Sequence, residues 1–243
     1  MDHILDRPVW AALTTSQKSL GIGDERALRY RPEINLFAAA ADRSTETLSV
    51  LGDLARLGDA LALVESQEWT NIPGTRVERI AQVDQMLWEA GGRRAEPIDH
   101  LRLGEPDAPE MLALATLTKP GPFSIATHRM GEFIGVRVDG RLAAMAGQRF
   151  RVPGYVEVSA VCTHPDHRGQ GYAARLMQVL IDRIVAAGEM PFLHTYPDNA
   201  AAIRLYESLG FRRRTTLTVS FLASLDPAPA PSGDRASPAP RGG

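Results

Sequence analysis

Residues 164–173 read HPDHRGQGYA, and the strongly amphipathic run ARLMQVLI follows at once. Gly169 and Gly171 stand beside Arg168 at the mouth of a helix that begins without a proline or a Ser/Thr cap. A strand that feeds a Gly-rich turn and then a helix presents unpaired backbone N–H groups at the positive end of the helix dipole, which is an anion site. Glycines let that backbone take positive φ and approach a ligand closely, and Arg168 adds a full charge. The ligand expected here is a phosphate or pyrophosphate. An NTP-hydrolysing P-loop would need Gly-Lys-Ser/Thr, and the lysine is missing. The spacing Gly169-x-Gly171-x-x-Ala174 fits the dinucleotide fingerprint on paper. That fingerprint, however, turns directly from strand to helix and needs an acidic residue about 20 positions on. Here THPDHR separates Cys162 from Gly169, Glu189 lies before the next strand, and Asp198 comes too late.

Other reactive side chains near this loop carry less. His164 and His167, with Asp166 between them, lack a third nearby ligand and make a poor zinc site, so no metal is expected. Cys162 is the only cysteine. It excludes an internal disulfide and a Cys-based metal cluster, and on a buried strand without a paired histidine it is a small apolar filler rather than a nucleophile.

These residues must be positioned by regular elements, and from residue 98 onward the elements are readable. IDHLRL reads as a short strand. Asp107 and Glu110 form a capping-box pattern, with Pro109 in the first turn, for a helix to about Leu117. KPGPF (residues 119–123) is a loop, followed by a short helical piece. EFIGVRV and RLAAMAGQRF flank Asp139-Gly140, a dipeptide suited to a type I′ hairpin, and VPG turns the chain into the β-rich YVEVSAVCT. After the glycine loop, Ala173, Leu176, Met177, Leu180, Ile181, Ile184 and Val185 form the apolar stripe of a helix ended by Gly188. PFLHTY is a strand, DNAAAIRLYESLG a helix opened near Asn199 and closed at Gly210, and FRRRTTLTVSFLA an alternating strand. A three-strand meander followed by βαβ order predicts a mixed α/β sheet with helices on both faces. In the first ninety residues, TETLSVLGDLARLG reads as a helix and DALALVES as a strand, whereas RVERIAQVDQMLWE fits either period. The segmentation expected is an N-terminal α/β region (1–95), a main domain (96–225), and a disordered Pro/Ala-rich tail (226–243).

Composition narrows the classes. Twenty-seven basic against 29 acidic side chains leave a net charge of −2 among 243 residues, so the footprint of a nucleic-acid binder is missing. Arg212, Arg213 and Arg214 read as solvated edge charge. No apolar run approaches the roughly 20 residues that span a bilayer, and the charged first thirty residues lack a signal-peptide block. A cytoplasmic protein is expected, and a homodimer is compatible with the residues.

RGQGYA resembles the Arg/Gln-x-x-Gly-x-Gly/Ala loop of the GNAT acetyltransferase superfamily, and DNAAAIRLYESLGF is similar to that superfamily's second diagnostic segment, Asn-x-x-A-x-x-x-Tyr-x-x-x-Gly-Phe. The two lie about thirty residues apart, in the family's order, with a helix and a strand between them. The resemblance covers roughly residues 98–222. It implies a splayed central sheet and acetyl-CoA, or a related acyl-CoA, as donor. The amides of Gly169, Gln170, Gly171, Tyr172 and Ala173, with Arg168, would hold the pyrophosphate. Val161, Cys162 and Thr163 would pair with the pantetheine arm, and Asn199 would both cap its helix and touch the donor.

Acyl transfer from a thioester to an amine needs a neutral amine, a stabilised oxyanion and a proton for the departing thiolate. By the resemblance, Tyr206 stands beside the sulfur as acid. Glu157, whose alternation partners Ser159 and Val161 lead toward the thioester, is the candidate base, and His194 the runner-up. The backbone N–H of Val161 or Cys162 would serve the oxyanion. The amine acceptor is unidentified; it should enter past KPGPF, with Phe123 and the prolines as an apolar wall. Two functions remain open: an N-acetyltransferase working by direct attack in a ternary complex, and a catalytically silent CoA-binding sensor or interaction protein.

Overall fold

A computed structural model describes residues 3–226. The expected tail therefore lies outside the described residues, apart from Asp226. Helix α1 (Pro8–Thr14) opens the chain, followed by β1 (Gly21–Gly23), β2 (Ala27–Tyr30) and β3 (Ala38–Ala40), which form a small antiparallel sheet. Helix α2 (Thr45–Ala55) leads into β4 (Ala60–Glu65) and β5 (Thr75–Trp88). Then come β6 (Leu101–Leu103), α3 (Ala108–Thr118), β7 (Phe133–Val138), β8 (Arg141–Val152) and β9 (Tyr155–Thr163). Finally, α4 (Tyr172–Ala186), β10 (Met190–Thr195), α5 (Ala200–Ser208) and β11 (Phe211–Ser224) complete the described chain.

Eight strands form one mixed sheet in the order β4-β11-β5-β10-β9-β8-β7-β6, with β9 and β10 its parallel pair. That parallel pair follows from the α4 crossover, since parallel neighbours need a long connection. Asp139 and Gly140 both take positive φ, 50° and 78°, as a type I′ turn requires. On one face α4 buries Leu176, Met177, Leu180, Ile181 and Ile184. Against expectation Val185 is 41% exposed. At about 100° per residue it lies some 40° beyond Ile181, off the edge of the stripe. The opposite face carries α1 and Tyr30, Ile34 and Phe37 packed on Phe150, Phe192 and Leu217.

Three other expectations change. Residues 75–88 are one long strand, because β11 offers an antiparallel partner from Phe211↔Trp88 to Ser224↔Thr75; a partner far along the chain decides what the local period left open. With β4 and β5 the large sheet draws strands from both sides of the 95/96 boundary, and β5 lies between β10 and β11. Residues 1–95 are thus part of the same body rather than a region preceding it. Nor does Asp107 cap α3. Its carboxylate accepts from Gly104 N–H (3.0 Å) and Arg137 (2.7 Å), while Glu110 accepts from Leu142 N–H (3.2 Å) and Arg137 (2.5 Å), tying the helix start to the β7–β8 hairpin. No helix among the described residues is long and apolar enough to cross a membrane.

Candidate active site

The sheet opens where its parallel pair ends. β10 stays in register with β9 from Met190↔Tyr155 to Phe192↔Glu157, and beyond that point the strands diverge. β9 also carries a bulge: Met145 faces Cys162 and Gly147 faces Ser159, so Ala146 alone stands opposite Ala160 and Val161. Ala160 takes φ 52°, a backbone state costly for a residue with a Cβ. A cavity of about 670 Å³ fills the gap. Val161, Cys162 and Thr163 form one wall, and His194, Thr195 and Tyr196 with Asn199, Ala202, Leu205 and Tyr206 of α5 form the other. One end is the loop from His167 to Ala174; the opposite end is apolar, built from Phe37, Val64, Val83, Val219 and Phe221.

At the loop end, a 3-10 turn (Pro165–His167) delivers the chain into Gly169 (φ 78°) and Gly171 (φ 74°), and α4 begins at Tyr172 with no side-chain cap. A Cβ at either glycine would meet nothing closer than 3.9 Å. The glycines are there for their φ rather than for space. Among the described residues, the N–H groups of Gly169 to Ala173 donate to no protein acceptor. Several free donors at the start of a fifteen-residue helix, with Arg168 and His167 on the same wall, make a strong anion cradle. His164 and Asp166 pair at 3.6 Å beside His167, and among the described residues no three His, Cys, Asp or Glu side chains are grouped so as to hold a metal ion.

Tyr206 lines the cavity, its ring edge-on to Phe211 at 6.3 Å, and burial pushes its phenol up to about 12. It therefore stays protonated and can donate. Cys162 is buried, which raises its thiol to about 11, well away from thiolate chemistry. Asn199 accepts from Ala202 N–H at 3.3 Å, capping α5, while its residue also lines the cavity.

Glu157 requires a correction. Its side chain is fully buried and does not line the cavity, because the bulge at Ala160 breaks the alternation that was to carry it toward Val161. Arg149 donates to both carboxylate oxygens (2.8 and 2.6 Å), and His194 Nδ1 lies 2.7 Å from Oε1. Burial disfavours the charge, but the Arg149 guanidinium on both oxygens outweighs it and holds the carboxyl at about 2. Buried and outside the cavity lining, this carboxylate has no contact with an incoming amine. His194, between Glu157 and the cavity, has its Nε2 3.0 Å from Gln85 Nε2. Arg149 and Gln85 had no motif to announce them, and each stands among other polar residues of its strand. Arg214 is drawn inward too, donating to Gln85 (2.6 Å) and Asp6 (2.5 Å) instead of standing as solvated edge charge. Pro120 and Pro122 do line the cavity, but Phe123 packs against Phe133, 5.9 Å between ring centres, in the core under α3.

The model of the FR47-like protein family matches residues 134–219, from β7 into β11. A crystal structure from Novosphingobium aromaticivorans, assigned to the GNAT acetyltransferases, is 45% identical, covers 92% of this chain and 99% of its own, and superposes with a TM-score of 0.84. Among curated proteins, the mycothiol acetyltransferase of Nocardiopsis dassonvillei is 31% identical over 61% of this chain and 45% of its own length. The N-alpha-acetyltransferase RimI of Mycobacterium tuberculosis is 36% identical over 33% of this chain and 52% of its own. The chain thus spans about half the length of the curated relatives it matches.

Proposed function

The chain belongs to the GNAT family of acetyltransferases, and on that premise we propose that it transfers an acetyl group from acetyl-CoA to a primary amine by direct attack within a ternary complex. One observation carries the reading: a single cavity joins the free amides at Gly169–Ala173 to Tyr206 through the gap between β9 and β10. The diphosphate of the donor binds those amides and Arg168, and the pantetheine arm runs along Val161–Thr163 with Asn199 opposite. This places the thioester beside Tyr206.

The amine nitrogen then attacks the thioester carbonyl carbon, and the oxyanion forms against the bulged backbone at Val161 or Cys162. As the C–S bond breaks, the Tyr206 hydroxyl gives its proton to the departing thiolate. The dry surroundings that hold the phenol protonated also raise the basicity of the thiolate, so the transfer remains feasible. The proton left on nitrogen becomes acidic once the amine is acylated and leaves to water, and Tyr206 is reprotonated from solvent.

The test is isothermal titration with acetyl-CoA, succinyl-CoA and NAD side by side, followed by CoA release with a panel of amines. Binding of the CoA thioesters without NAD, and CoA release that depends on an amine, are expected. Tight NAD binding or a silent CoA site would overturn the donor assignment. Donor binding without release to any amine would turn the reading toward a CoA sensor.

A further inference from the structure

The hydrogen bonds around His194 decide where its protons sit. Gln85 is fully buried between β10 and β11. Its Oε1 accepts from Arg214 Nε at 2.6 Å, and its Nε2 donates to the Leu5 carbonyl at 2.9 Å. Reversing the amide would set N–H against the guanidinium and C=O against a carbonyl, so this orientation is the one the contacts permit. The remaining Gln85 N–H therefore donates to His194 Nε2 at 3.0 Å. His194 must carry its proton on Nδ1, which donates to Glu157 Oε1 at 2.7 Å.

The charged groups around the ring fix these contacts. Glu157 from β9 is an acceptor, with Arg149 of β8 holding it ionised; Arg214 from β11 fixes Gln85, and Asp6 in the turn before α1 fixes Arg214. The edge of the ring meets Phe192, 5.7 Å between centres. A second proton on Nε2 would face the N–H of an amide that cannot turn. With 5% of its side chain exposed and both nitrogens engaged, His194 offers an incoming ammonium no free lone pair.

The remaining walls select the acceptor's charge and shape. Among the described residues no Asp or Glu lines the cavity, whereas Lys119, Arg149 and Arg168 do. The end beyond Tyr206 is apolar. A polycation would lose hydration there with no lining carboxylate among the described residues to offset the loss.

We infer that the acceptor is a weakly basic amine on an apolar body, an α-amino group rather than a lysine side chain or a polyamine, and that it reacts from its neutral form while His194 acts as a positioning residue. This rests on the acetyl-transfer reading. At pH 7 an α-amine is neutral in roughly one molecule in ten, a lysine ε-amine in about one in 2,500. A site without its own base depends on that fraction.

Two measurements on the full-length protein test the inference. Long-range ¹H–¹⁵N spectra, with the His194 ring assigned by its loss in His194→Asn, should show the neutral ring with its proton on Nδ1 and an unprotonated Nε2. A neutral ring protonated on Nε2 would overturn the inference. In kinetics at saturating acetyl-CoA, with leucinamide, Nα-acetyl-lysinamide and spermidine, kcat/KM should break at each acceptor's own amine pKa. Leucinamide should lead at pH 7 by on the order of tenfold or more. His194→Asn should lower the rate without moving the break. A break at one pH common to all acceptors, or a preference for spermidine, would contradict the inference. No turnover with any of the three while acetyl-CoA binds would sink the transfer reading and the acceptor class together; the spectra decide the tautomer in either case.

Discussion

The two ends of the cavity are built in different ways. The donor end is a continuous piece of chain: eight residues, His167 to Ala174, supply a turn, two glycines and a helix start in one stretch. The opposite end gathers Phe37, Val64, Val83, Val219 and Phe221 from four separate stretches of the chain, with the Arg149 guanidinium over Phe37. Recognition of a constant ligand is thus written locally, where backbone geometry does the binding. Selection of a variable ligand is spread over the sheet and over the N-terminal strands that complete it.

If this contrast holds, damage at one end should leave the other intact, and the largest effect belongs to the donor end. Gly171→Val forces a β-branched residue into φ 74° and distorts the free amides. Titration should show acetyl-CoA affinity reduced about 10²- to 10³-fold, with the fold retained by circular dichroism. Unchanged affinity would remove the loop from the donor site. The second effect lies at the junction of the ends. Tyr206→Phe keeps the ring against Phe211 but removes the acid, so kcat should fall about 10²-fold while the donor Kd moves less than about twofold. Equal losses in both would make Tyr206 a binding residue instead.

The third effect concerns the polar layer behind the acceptor end. Glu157 titrates near 2 when folded, against an ordinary 4.5. Its folded value is depressed, so its contribution to stability is complete above about pH 4.5 and is lost as pH falls through about 2. In that window urea unfolding should lose about 1.4 kcal/mol per pH unit from this group. Glu157→Gln should lack that share of the slope, and should be less stable at neutral pH because Arg149 is left without its carboxylate. Identical slopes in both proteins would show that the ion pair does not set the acid response.

Legibility in the sequence follows the same division. The Asp139-Gly140 turn, the Leu176–Ile184 stripe, the Asn199 cap and the glycine pair were all readable, because each depends on residues within a few positions of one another. Residues 75–88, the Asp107 and Glu110 contacts, Phe123 and the burial of Glu157 were not. The first three were decided by partners outside their own segment: β11 for residues 75–88, Arg137 and Leu142 for the two carboxylates, Phe133 for Phe123. For Glu157 a one-residue bulge at Ala160 reversed what period-two alternation implied. His194 was visible as a histidine at a strand end, but its role depends on Gln85, 109 positions away.

The smallest expected effect separates the two ends most sharply. Phe221 is half-buried at the apolar end, with the Arg79 guanidinium 4.4 Å above its ring; Arg79 also donates to the Tyr196 hydroxyl at 2.8 Å. Phe221→Ala removes apolar wall and the cation–π contact that steadies Arg79, without touching any residue near the glycine loop. Losing about 1 kcal/mol of contact with an apolar acceptor should raise the KM for leucinamide about fivefold. The donor Kd should stay within about twofold, and acceptors without an apolar group should be affected less. If donor affinity falls together with acceptor affinity, the ends are coupled through β11, and the separation drawn between a locally written donor site and a distributed acceptor site fails. If neither changes, the acceptor binds elsewhere along the Lys119–Pro122 rim.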